Sequence, residues 1–86
     1  MSKKNQKKFQ LKIVFPDKEL KQQEVDFLVI PSIDGDIGVK PNHTPFLSAL
    51  RPGIIYIHRD ESKEEISVVS GFVEVINDKV IILLSE

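Results

Sequence analysis

The chain has 86 residues, a formal net charge of −1 and no cysteine. This length allows one domain with a single small core, and the lack of cysteine excludes disulfides and cysteine-ligated metal as supports. A charge near zero gives no electrostatic footprint for nucleic acid, so we expect no nucleic-acid partner. No apolar run approaches the roughly 18–20 residues that span a bilayer, so direct membrane insertion is not expected either.

The first eight residues, MSKKNQKK, contain four lysines. They are not followed by the apolar stretch of a signal peptide. We therefore expect residues 1–8 to form a disordered, solubilising basic tail, with weak contact to acidic lipid or to a partner as the alternative. The folded domain is then expected over residues 9–86.

From residue 9 onwards, apolar residues alternate with polar ones or form short runs, as in β-strands. In FQLKIVF (9–15), Phe9, Leu11, Ile13 and Phe15 share one face. Windows rich in β-branched and aromatic residues predict further strands at 24–31, 53–59, 64–70, 72–76 and 79–85. Many short strands and no convincing helical stripe predict an all-β domain, built as a flattened sandwich or barrel.

One stretch, DGDIGVKPNHTPFLSALRPG (34–53), contains three of the four glycines and three of the five prolines. Glycine admits positive φ and proline lacks an N–H donor, so a regular central strand is not expected here. Within it, PFLSAL (45–50) favours a short strand over a single helical turn. Two interpretations stay open: a shaped crossing between strands, or a rigid loop that presents Asp34, Asp36 and His43 to a partner.

Residues suited to catalysis are few and poorly arranged in the sequence. Asp34 and Asp36 could form an acid–base pair, but neighbouring carboxylates in a turn are usually just solvated. These two aspartates and His43 are too few for a metal site, and Ser48 and Ser70 lack the turn of a nucleophile elbow. The sequence therefore predicts no enzyme activity for the chain alone, no metal and no cofactor.

Four short motifs, GDIG, PNHTPFL, LRPG and SGFVEV, follow one another along the chain. Their order and spacing resemble the N-terminal domain of the epsilon subunit of F-type ATP synthase, and the resemblance runs from about Phe9 to Ser85. It implies a flattened sandwich of two roughly five-stranded antiparallel sheets. It also implies a non-catalytic central-stalk subunit at the cytoplasmic face of the bacterial inner membrane, which docks the gamma subunit onto the c-ring and couples proton translocation to ATP synthesis.

The same resemblance implies two sets of contact residues. The c-ring would be contacted by Ser32, Ile33, Asp34, Gly35 and Asp36, with Asp36 at the family's acidic position, facing a basic residue of the ring. The gamma subunit would be contacted by Phe15, His43 and Ser48. We expect an exposed apolar patch on the gamma side, because strands such as 25–30 and 79–84 are apolar on both faces in a chain too small to cover them.

A second function class is a lipoyl or biotinyl carrier domain, which is also a flattened β-barrel of about this length. Lys79 would be the modified lysine, because it follows the short turn at Asn77 and Asp78. Only seven residues follow Lys79, however, whereas a carrier lysine lies at mid-chain. We therefore rank the carrier second.

Family members commonly continue from the sandwich into a C-terminal helical hairpin that can block rotation. Here the sequence ends at Glu86, directly after the last predicted strand. A segment of two or three residues cannot form a helix that reaches tens of Å at 1.5 Å per residue. We expect this chain, taken by itself, not to inhibit by helix extension.

Overall fold

The computed structural model describes residues 8–86, so residues 1–7 of the predicted tail lie outside the described part. Nine strands occupy this part, and no helix does. The strands are β1 Phe9–Val14, β2 Leu20–Val25, β3 Phe27–Ser32, β4 Gly35–Val39, β5 Phe46–Leu50, β6 Gly53–Arg59, β7 Ser62–Val68, β8 Gly71–Ile76 and β9 Lys79–Leu84. The predicted all-β class is confirmed.

The strand boundaries differ from the prediction in several places; for example, the strand predicted at 64–70 is β7, Ser62–Val68. The run 24–31 is not one strand, because the chain bends at Asp26, between β2 and β3. The glycine-rich region also contains a strand that was not predicted, β4, which pairs only with β3 and so lies at an edge. Its Gly38 lies close under the Phe27 ring, where an added Cβ would be 3.2 Å from the ring. The preference for a short strand at 45–50 is confirmed by β5.

The nine strands form one continuous sheet in the order β2-β1-β9-β8-β5-β3-β6-β7, with β4 on the other edge of β3. The only residue pair joining β5 to β3 within the described ladders is Ser32 with Leu50. The sheet curls at this point, and we call its two parts the five-strand half (β2-β1-β9-β8-β5) and the four-strand half (β4-β3-β6-β7).

The predicted arrangement of two roughly five-stranded antiparallel sheets is thus confirmed only in part for the described residues. One half has four strands and not five, and the halves are joined through β5 and β3. In addition, β1 and β9 pair in parallel, with Gln10 opposite Lys79 and Val14 opposite Leu83. Parallel neighbours require a crossover between them, and here the intervening seven strands supply it.

The core lies between the inner faces of the two halves. Leu11, Ile13 and Ile82 come from the five-strand half, Leu28 and Ile57 come from the four-strand half, and each is at most 1% exposed. Burying one such side chain contributes roughly 1.5–3 kcal/mol. The period-2 alternation of the strands is thus converted into one shared apolar layer.

Gly71 is the glycine that the fold requires most strictly. Its φ is +154°, and a Cβ at this position would lie 2.2 Å from the Leu83 carbonyl oxygen of β9. No real Cβ approaches an oxygen so closely, so the pairing of β8 with β9 excludes any side chain here. The single glycine of SGFVEV is therefore placed where a glycine is needed.

Candidate functional site

The residues predicted to meet the c-ring form the tip of the hairpin between β3 and β4. We call Ser32, Ile33, Asp34, Gly35 and Asp36 the hairpin tip. The turn has two residues, because Ser32 pairs with Gly35 across it. Gly35 has a φ of +126° and no atom within 4 Å of its missing Cβ. The turn thus needs glycine for its backbone conformation and not for space.

Internal hydrogen bonds fix the hairpin tip to β5. Ser32 is fully buried, and its hydroxyl lies 3.0 Å from the Ser48 hydroxyl. The same Ser32 oxygen accepts a hydrogen bond of 3.0 Å from the Asp34 backbone N–H. The Ile33 N–H donates to the Ala49 carbonyl at 3.0 Å. The tip is therefore a shaped, hydrogen-bonded element. Of the three residues in the second interpretation of the glycine-rich stretch it contains Asp34 and Asp36, whereas His43 lies outside it, before β5.

Arg51 completes this bonding from the start of the connection to β6. Its guanidinium donates to the Ser32 carbonyl at 2.5 Å and to the Asp36 carboxylate at 2.6 Å. Its own backbone N–H donates to the Pro31 carbonyl at 3.0 Å. The sequence analysis missed Arg51, because only the fold brings it next to a partner fifteen residues away.

The three residues predicted to meet the gamma subunit occupy separate places. His43 is half-buried before β5, where its ring meets the Phe46 ring edge-on at 5.4 Å between centroids. Ser48 lies on the inner side of β5, where its hydroxyl bonds to Ser32. Phe15 follows β1 and packs partly buried against the core. The structure does not bring these three side chains into one cluster, although all flank the five-strand half.

An apolar line crosses the outer face of the five-strand half. Successive strand pairings place Ala49 opposite Phe72, Phe72 opposite Leu83, Leu83 beside Val14, and Val14 opposite Leu20. We call these five residues the apolar row. Phe72, Leu83 and Leu20 are 55%, 50% and 53% exposed. At about 4.8 Å between strands, the row extends roughly 19 Å across the face.

Residues beside the apolar row enlarge the exposed surface. Leu47 is 71% exposed on the same face, one position along β5 from Ser48. The sequence analysis predicted an apolar patch from the doubly apolar β9, but it missed these particular residues. Phe72 and Leu83 could have been found, because each puts a large apolar side chain at an outward position of an alternating strand. Leu20 gave no such signal in a polar strand.

Charged side chains cluster at the opposite end of β3 from the hairpin tip. The Lys8 ammonium lies 3.0 Å from the Asp26 carboxylate and 2.7 Å from that of Asp60. The Asp60 backbone N–H donates to Asp26 at 2.6 Å, and this bond, together with Lys8, lowers the pKa of Asp26. The bond to Asp60, followed by that to Asp26, raises the pKa of Lys8. Lys8, placed by sequence in the tail, thus takes part in a corner contact of the domain.

A second ion pair links the open edges of the two halves. Lys21 of β2 contacts Glu64 of β7 at 2.9 Å, and Gln23 lies 3.5 Å from the same carboxylate. The hydrogen bond from Lys21 lowers the pKa of Glu64. These polar side chains close the side of the core that no strand pairing covers.

Residues 8–86 contain no group of three or more His, Cys, Asp or Glu side chains placed to hold a metal ion. A membrane-crossing helix is likewise not found among these residues. The structure of residues 8–86 is thus an all-β domain with an apolar outer face on one half and a hydrogen-bonded, acidic hairpin tip at one end.

Comparison with known proteins identifies the family. The β-sandwich domain of the ATP synthase delta/epsilon chain matches residues 8–86, and the chain belongs to this family. An ATP synthase epsilon chain of Maridesulfovibrio salexigens is 46% identical over 76 residues, which are 88% of this chain and 54% of that protein. One of Myxococcus xanthus is 41% identical over 88% of this chain and 56% of its own length. The chain thus spans about half the length of these relatives.

Solved structures share the fold. A chain in the cryo-EM structure of the Euglena gracilis mitochondrial ATP synthase, comprising OSCP, F1 and c-ring, matches with a TM-score of 0.82 and 28% identity over 88% of this chain and 49% of that one. A chain of the Tetrahymena thermophila central stalk and c-ring matches with a TM-score of 0.77 over 96% of this chain and 67% of that one, and at 14% identity it shows the fold alone.

Family membership confirms the predicted resemblance to the epsilon chain of ATP synthase. It also rules against the carrier alternative. Lys79, the lysine on which that alternative depended, is simply the exposed first residue of β9, opposite Ile76.

Proposed function

We propose that this domain docks the gamma subunit of an ATP synthase onto its c-ring and thereby helps to couple proton translocation to ATP synthesis. The domain would act as a peripheral part of the central stalk at the cytoplasmic face of the bacterial inner membrane. The family supports membership of an ATP synthase complex. The apolar row supports the contact with gamma, and the hairpin tip supports the contact with the c-ring.

The apolar row is the observation that carries this proposal. A small soluble domain rarely leaves several large apolar side chains side by side in water, and a stable protein partner buries roughly 800 Å² on each side. Phe72 and Leu83 are each about half exposed at the centre of the row. We therefore assign the outer face of the five-strand half to the gamma subunit.

The predicted gamma contacts fit around this face in different ways. Phe15 directly follows Val14, which is part of the row, and Ser48 lies between the outward-facing Leu47 and Ala49. Ser48 would act mainly by fixing β5, since its hydroxyl is engaged with Ser32. His43 would border the face just before β5 begins.

The hairpin tip is assigned to the c-ring. It is polar, apart from Ile33, and it projects between β3 and β4, away from the Asp26 corner. Wet contacts between charged groups at such a rim contribute only about 0.2–1 kcal/mol each. The ring contact would therefore depend on the shape of the tip as much as on charge.

The test is assembly with epsilon-free F1 and c-ring preparations. Leu83→Asp places a charge in the centre of the apolar row, and we expect the affinity for gamma-containing F1 to fall by about tenfold or more. Tyr56→Asp is the matched control, because Tyr56 is exposed on the outer face of the four-strand half. Equal loss in both variants, or in neither, would contradict the assignment of the gamma side.

A further inference from the structure

The hairpin tip contains two aspartates with different surroundings. The Asp36 carboxylate is held by Arg51 at 2.6 Å. No hydrogen bond or ion pair from any residue between 8 and 86 engages the Asp34 carboxylate, whereas its backbone N–H donates to Ser32. Both residues are exposed. Asp36 therefore already has a cationic partner in Arg51, and Asp34 has none among residues 8–86.

The geometry points to Arg51 as the positioning residue of the hairpin tip, with Asp34 and Ile33 as the pair presented to the partner. This inference rests on the proposed docking at the tip and deepens it. The planar guanidinium reaches the Ser32 carbonyl at the end of β3 and Asp36 at the start of β4 simultaneously. One side chain thus joins both strands of the hairpin next to its turn.

The fork shape of arginine is what makes this arrangement possible. Lysine is a point charge on a flexible stem, and it cannot hold two acceptors in a fixed relative position as a guanidinium does. The ion pair with Asp36 is exposed and would be weak in isolation. The bond to the Ser32 carbonyl, together with the Arg51 backbone N–H bonded to Pro31, makes the pair part of a larger network.

The presented pair defines the chemistry of its partner. Ile33 is 60% exposed at the turn, and the Asp34 carboxylate lies next to it in the sequence. A complementary surface would offer a small apolar depression with a lysine or arginine beside it. Asp36, engaged with Arg51, would contribute to docking chiefly through the shape of the tip.

We call the contacts of the Arg51 guanidinium with Ser32 and Asp36 the clamp. Hydrogen exchange on the 86-residue chain tests the clamp in the absence of any partner. The Ile33 and Asp34 amides donate to Ala49 and to the Ser32 hydroxyl, so their exchange reports the order of the tip. We expect Arg51→Ala to speed exchange at both amides by roughly three- to tenfold, and Arg51→Lys to restore only part of the protection. Arg59→Ala, an exposed arginine at the end of β6, is the matched control. Equal exchange in Arg51→Ala and Arg59→Ala would overturn the clamp.

Binding to isolated c-rings tests the presented pair. We expect Asp34→Asn to weaken binding about two- to fivefold at low salt and to flatten its salt dependence. Asp36→Asn should add nothing further in the Arg51→Ala background, because both act through the same contact. Two results would overturn the inference. One is a further loss of c-ring affinity when Asp36→Asn is added to Arg51→Ala, and the other is unchanged c-ring affinity when Asp34→Asn is the only substitution. Failure of the unsubstituted chain to bind rings would contradict the proposed docking and the presented pair, while the exchange result would still decide the clamp.

Discussion

The outer faces of the two halves differ in how they treat their apolar residues. On the four-strand half, Phe27 and Val29 are half-buried. The Phe27 ring packs over Gly38, the residue paired with Val29, and lies 5.5 Å from the His58 ring. On the five-strand half, Phe72 and Leu83 stand about half exposed with no such cover. Both halves supply the same kind of inner face to the core. The difference shows that the core uses only the inner faces, and the exposed outer row is the surface that the proposed gamma contact would cover.

The largest loss of stability should come from replacing Gly71, which allows β8 and β9 to pair closely. We expect Gly71→Ala to cost roughly 3 kcal/mol or more of unfolding free energy, because its Cβ would clash with the Leu83 carbonyl. Urea denaturation measures the loss. Gly35→Ala is the control, since it shares a positive φ but has open space around it; backbone strain alone should make it cost less, roughly 1–2 kcal/mol. Similar costs at both sites would show that the clash is relieved by movement of β9.

Adjacent residues of β9 separate the inner face from the outer one. Ile82→Ala should lower the unfolding free energy by about 2–4 kcal/mol, because it leaves a cavity among fully buried side chains. Leu83→Ala should cost about 0.5 kcal/mol or less, because its side chain is 50% exposed. Thermal unfolding of the two variants provides the comparison. A Leu83 variant as unstable as the Ile82 variant would mean that the row belongs to the core.

The apolar row should also be detectable by a dye that fluoresces on apolar surface. We expect the 86-residue chain to bind such a dye, and the double substitution of Phe72 and Leu83 by serine to remove most of the signal without lowering thermal stability. Tyr56→Ser, on the other outer face, should leave the signal nearly unchanged. Loss of the dye signal in Tyr56→Ser would instead place the accessible apolar surface on the four-strand half.

The smallest effect concerns pH. The Asp60 N–H and Lys8 lower the pKa of Asp26 below its ordinary value of about 3.9. A lowered pKa in the folded state means that this contact stabilises the domain above about pH 4 and that the stabilisation is lost as pH falls through the lowered pKa. Because the carboxylate is partly solvated, we expect at most about 1 kcal/mol.

Asp26→Asn should therefore reduce the stability at pH 7 slightly and flatten its decline in acid. Asp34→Asn serves as the control, because no side chain or backbone group of residues 8–86 bonds its carboxylate. Unfolding measured from pH 7 to pH 3 compares the two. An unchanged acid profile in Asp26→Asn would assign the decline to Glu64, whose pKa is also lowered.

The residues of the inner faces could be predicted from the sequence, and those of the exposed outer face only in part. Alternation placed Leu11 and Ile13 in the core because strand periodicity acts over two residues. The apolar row depends on register between strands, since Phe72 meets Leu83, and Leu83 meets Val14, only after folding. The residues proposed for the c-ring contact were named by motif, but their contact with Arg51 was not, because Arg51 carries no local sign of its contact with Asp36.

The parallel pairing of β1 with β9 has a mechanical consequence. Phe9 and Lys79 lie at one end of this pair, and Val14 and Leu84 lie at the other. Tension applied between Phe9 and Leu84 would slide the two strands past each other along their length. Their evenly spaced hydrogen bonds would then bear the load together and could not open one at a time. A domain built this way resists stretching between its first and last strands through the β1–β9 ladder.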